Sequence, residues 1–143
     1  MHRAPITLAL TLALSGMALA HADTKNPTVR AWMANMKAIA AETKRIGQMV
    51  RGQTAFDADA SNAALAKIAA HSAEIPTLFK IPAVDPTSEA RDLIWSDWDA
   101  FEAEARALTE ASSGPEVASE VELRAALGRI AATCKSCHGT YQN

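Results

Sequence analysis

Apolar residues recur along this chain at spacings of three and four and nowhere alternate for long enough to suggest a strand. The first such run follows "NP". Asn26 falls at an N-cap and Pro27 at the first helical position, where a missing N–H costs nothing. Val29, Trp32, Met33, Met36, Ile39, Ala40, Ile46 and Val50 form its apolar stripe, and Gly52 stands just past its end, where a left-handed cap fits. A second helix is predicted over 59–74, with Leu65, Ile68, Ala69 and Ile75 on one side. "IPTLFKIPAVDP" then breaks the pattern, because its prolines cannot continue a helix. A third helix is expected from Asp85-Pro86, carrying Ile94, Trp98, Phe101, Ala105 and Leu108, and "SSGPE" ends it. The fourth opens on Ser119 and Glu122, a capping box, and continues through Leu123, Leu127, Ile130, Cys134, Cys137 and Tyr141. Four such helices with short or moderate connections predict an all-α fold, an antiparallel up-down-up-down four-helix bundle. No internal repeat or second domain is visible, so 23–143 reads as one domain.

The first 22 residues stand outside that pattern. A basic start (His2, Arg3), an apolar run and a small-residue end read as a signal peptide, with cleavage after Ala20 or Ala22. The apolar run over 6–20 is short of the ~20 residues that a membrane span needs. The expectation is therefore an exported, periplasmic protein with no stable membrane insertion after cleavage. Charge adds an exclusion. With 14 basic against 16 acidic residues and no block of Lys or Arg, the chain lacks the electrostatic footprint of a nucleic-acid binder.

Export also changes how the only two cysteines are read. In an oxidising compartment a lone pair would by default form a disulfide, yet Cys134 and Cys137 would close a loop too small to constrain much chain entropy. With His138 they stand at i, i+3 and i+4, on one face of a helix. "CKSCH" is the C-x-x-C-H signature of c-type haem attachment: two sulfurs can add to two vinyl groups, and the adjacent imidazole can reach the iron. A thioredoxin-like redox pair would want a βαβ setting, which this helical chain lacks. Structural zinc would want four ligands, and the only other histidines beyond position 20, His21 and His71, have no partner at ligand spacing.

The second face of the iron decides function. A methionine sulfur there suits electron transfer, whereas an open face admits gases. Beyond the leader the methionines are Met33, Met36 and Met49, all on the first helix. Met49 lies 13 residues past Met36, about 20 Å along the axis. In an up-down-up-down bundle the end of helix four faces the start of helix one, which favours Met33 or Met36. His71, Trp32, Trp95 and Trp98 read as packing or surface residues rather than ligands or relays.

"NMKAIAAETKRIGQMVRGQTAFD", "IWSDWDAF" and "CKSCHGTY" together resemble the cytochrome c′ family (class II c-type cytochromes), and within it the low-spin cytochrome c-556 branch. The resemblance spans essentially the whole chain after the leader. It implies one haem c per chain on Cys134 and Cys137, His138 as proximal iron ligand and Met36 as distal ligand, with Met33 as the fallback. It implies an electron carrier, not an enzyme, that meets transient redox protein partners. The alternative is a five-coordinate cytochrome c′ binding nitric oxide or carbon monoxide, with Met36 only lining the pocket. A homodimer paired through the first two helices is left open. Two positions depart from the family pattern: Trp32 stands where members commonly carry an arginine, and Gln142 follows Tyr141 where many have one. Both bear on how the haem propionates are compensated.

Overall fold

The computed structural model describes residues 24–143. The expected leader lies outside the described residues. Helix α1, Pro27–Val50, starts as anticipated: the Asn26 carboxamide accepts the amides of Thr28 and Val29 at 2.9 and 3.4 Å. It ends before Gly52, whose φ of 67° is a left-handed conformation that glycine adopts without a Cβ penalty. Its buried face includes Val29, Trp32, Ile39, Ile46, Met49 and Val50.

Helix α2, Ala58–Leu78, corrects the expected range. It begins behind Asp57, whose carboxylate accepts the Ala60 amide at 2.9 Å, and it runs through Pro76 instead of stopping at Glu74. Proline forfeits one backbone bond, but here it sits in the last turn. The extra turn buries Ile75 and places Phe79 in the core. The carbonyls that end the helix find indole donors: Trp32 Nε1 to Leu78 at 2.6 Å and Trp95 Nε1 to Phe79 at 2.8 Å. Tertiary partners thus offset the local break.

The third helix is also corrected. Residues 80–92 form a non-helical strap; helix starts only with α3, Leu93–Ser96, and resumes as α4, Trp98–Ser112. The reason is Asp85. Rather than capping a helix of its own, its buried carboxylate accepts the amides of Lys25, Asn26 and Thr87, each at 3.0 Å. That clasp fastens the strap to the start of α1. Helix α5, Glu120–Tyr141, follows Ser119, whose hydroxyl accepts the Glu122 amide at 3.4 Å while the Glu122 carboxylate accepts the Ala118 amide at 2.8 Å.

The four long helices form a ring: α1 packs on α2, α2 on α4, α4 on α5, and α5 closes against α1. Their directions alternate. Arg124, early in α5, reaches the Val50 carbonyl at the end of α1 at 2.8 Å, while Tyr141, ending α5, reaches Asp97 before α4. The all-α four-helix bundle expected from the sequence is the fold of the chain. Among the described residues no helix is long and apolar enough to cross a membrane. Among the described residues the one bridge of β type joins Ala90 to Gln142, tying the strap to the end of α5.

Candidate functional site

The antiparallel arrangement brings the last two turns of α5 beside the first half of α1. Cys134 and Cys137 are half-buried on the inner side of α5, and His138 is exposed beside them. Two apolar cavities, ≈ 370 and ≈ 270 Å³, flank these turns, and Met36, Phe101, Cys137 and His138 border both. Cys134 borders the smaller one. Strap residues 87–90 wall the larger one and are held there by two backbone bonds of 2.9 Å, Arg91 N–H to Tyr141 and Asn143 N–H to Glu89.

The thiols are chemically quiet in this setting. Burial raises Cys134, and for Cys137 burial, then the Glu104 carboxylate and then Cys134 push the thiol up to about 11. Tyr141 is pushed up to about 12 by burial and by its hydrogen bond to Asp97.

The three methionines separate clearly. Met36 borders both cavities. Met33 borders only the larger of the two, and its sulfur lies 3.1 Å from the donating Thr24 hydroxyl. Met49 is buried at the far end of α1, 3.6 Å from the Ser61 hydroxyl. His71 is half-exposed on α2, with Nδ1 3.6 Å from the Glu74 carboxylate, and it borders neither cavity. Sequence reasoning missed the cavity walls contributed by Trp32, Phe101, Tyr141 and the strap. The stripe on the third helix could have flagged Phe101, but no local pattern announces residues 87–90.

Two thiols one turn apart, an imidazole beside them and two apolar cavities that both border that imidazole fit a flat, covalently tethered porphyrin. The profile of the family described as Cytochrome C' matches residues 28–142. The chain belongs to the cytochrome c′ family. It is 31% identical to cytochrome c′ of Cereibacter sphaeroides, the match covering 96% of each chain. It is 30% identical to cytochrome c-556 of Agrobacterium tumefaciens, over 75% of this chain and 89% of that one. The solved cytochrome c′ of Rhodopseudomonas palustris superposes with a TM-score of 0.73 at 28% identity, covering 83% of this chain and 98% of its own. Cytochromes c′ are electron-transfer and haem-binding c-type cytochromes, and their cofactor is covalently attached haem c.

Proposed function

We propose that this chain is an exported electron-transfer cytochrome whose haem is tethered by Cys134 and Cys137 and whose iron is held by His138 and Met36. The observation that carries the reading is that Met36 and His138, on antiparallel helices, border the same two cavities. The haem iron supplies a one-electron ferric–ferrous couple. The chain does the rest. Thioether links through Cys134 and Cys137 would hold the group on α5, so that it would not be lost after export. The His138 imidazole would present a nitrogen donor. Met36 offers a sulfur donor from a helix whose position is set by packing, so few groups need rearrangement when charge moves. A thioether at that place raises the potential relative to a harder donor. Met33 is the fallback, and the Thr24 hydroxyl directed at its sulfur speaks for Met36.

The second reading is a five-coordinate iron that takes nitric oxide or carbon monoxide. The room in the larger cavity between Met36 and strap residues 87–90 favours it. The ferric optical spectrum separates the two. A sulfur-to-iron charge-transfer band with slow or absent carbon monoxide binding supports His138–Met36 ligation; a high-spin spectrum that shifts readily with added gas overturns it. Partners under the first reading are redox proteins that dock transiently in the periplasm, the compartment that the expected signal peptide over 1–22 would reach.

A further inference from the structure

Tyr141 ends α5 one turn beyond His138 and borders the larger cavity. The residue is only 5% exposed, and its ring meets Phe101 edge-on with centroids 5.3 Å apart. Its hydroxyl donates to the Asp97 carboxylate at 3.1 Å. That carboxylate has an obvious alternative use. Asp97 immediately precedes α4, where an aspartate ordinarily accepts an amide of the first turn. Its side chain makes no such bond. The side chain is spent on a buried phenol instead. The same turn of α5 is fixed from the main chain as well, since Arg91 donates its amide to the Tyr141 carbonyl at 2.9 Å and its guanidinium to the Thr140 carbonyl at 2.8 Å.

We propose that Asp97 and Tyr141 form a tuning pair for the haem site, the carboxylate acting through the phenol to place negative charge at the His138 edge of the cavity and so favour ferric over ferrous iron. This rests on the haem reading of the cavity and not on which group takes the sixth position. Reduction adds an electron, and a fixed anion close to a low-dielectric cavity raises the energy of the reduced form. Asp97 is solvent-exposed, so added salt weakens the effect. Glu104 beside Cys137 has the same sign and Arg91 the opposite one. Both stay in place in the variants below, so differences between variants report the pair alone. Asp97 and Tyr141 are positioning residues: neither needs to touch the iron.

The test is redox titration of the haem-loaded protein and of Asp97→Asn, Tyr141→Phe and the double variant, with the optical spectrum and thermal midpoint of each. Asparagine keeps an acceptor for the phenol and removes only the charge, so the fold is retained. At a fixed applied potential Asp97→Asn should raise the ferrous-to-ferric ratio by up to roughly tenfold, which is about 59 mV for one electron. Tyr141→Phe should shift it the same way by less. The double variant should shift no further than Asp97→Asn, because both changes act through one hydrogen bond. The iron-ligand bands should not move. Haem-loaded Asp97→Asn with an unmoved potential, or shifts that simply add, overturns the pair while leaving the cytochrome reading intact. A chain that carries no covalent haem overturns both.

Discussion

Trp32 on α1 donates its indole N–H to the Leu78 carbonyl at 2.6 Å and stacks on Phe79 with ring centroids 4.5 Å apart. One side chain therefore closes the end of α2, fills the core and walls the larger cavity. Trp32→Phe keeps most of the stacking and removes the donor. Leaving the half-buried Leu78 carbonyl without its partner costs up to ~1–3 kcal/mol. Chemical denaturation should show a loss in that range, and an unchanged midpoint would mean that water replaces the indole.

Met36→Leu nearly conserves volume, so the cost in stability should stay under ~1.5 kcal/mol. The charge-transfer band should vanish and carbon monoxide should bind the ferrous protein readily. Met33→Leu should leave both properties as they are. The opposite outcome for the two variants would move the iron ligand one turn toward the start of α1.

Asp85 predicts a pH dependence. Backbone amides of Asn26, Thr87 and Lys25 and the Thr87 hydroxyl hold its carboxyl well below the ordinary value of 3.8. A group depressed on folding stabilises the native state above its unfolded pKa, and that contribution is lost as pH falls toward the folded value. Wild type should thus be more stable than Asp85→Asn at neutral pH, by a margin that is full above about pH 5 and shrinks below about pH 4. Thermal unfolding across pH 2–7 measures the margin; a gap that does not change with pH would show that the carboxylate's charge is irrelevant to the clasp.

Before haem is attached, the folded chain should protect its thiols. With Cys137 near 11, little thiolate exists at neutral pH, and the thiolate is the nucleophile. Alkylation of haem-free protein should be slow at pH 7, should rise about tenfold per pH unit up to pH 10, and should be faster in Glu104→Gln, which removes the second-largest cause of the shift. A rate that levels off near pH 8.5 would mean an unperturbed thiol.

The bundle was legible because amphipathic spacing and helix caps are local. Asn26, Ser119 and Gly52 each do at their boundary what their residue type suggests. The cysteine motif was legible for the same reason, being five consecutive residues whose Cys134, Cys137 and His138 share one helix face. The end of α2 and the start of helix three were not. Pro76 looks like a stop until Trp32 and Trp95, from elsewhere in the chain, accept the burden of capping. Asp85 looks like a helix cap until its partners prove to be Lys25 and Asn26, about 60 residues away. Likewise, the cavity wall over residues 87–90 depends on a bridge to Gln142, which no window of neighbouring residues contains. Side chains that bond to distant backbone leave no periodic trace.

Trp32, Trp95 and Trp98 belong to one connected set of rings with Phe79, Phe101 and Tyr141, and Trp32 itself borders the larger cavity. A strongly absorbing pigment seated there would quench indole emission by energy transfer, while unfolding would carry the indoles away and restore it. The chain thus holds a built-in fluorescent gauge, dark when loaded and folded and bright when empty or unravelled.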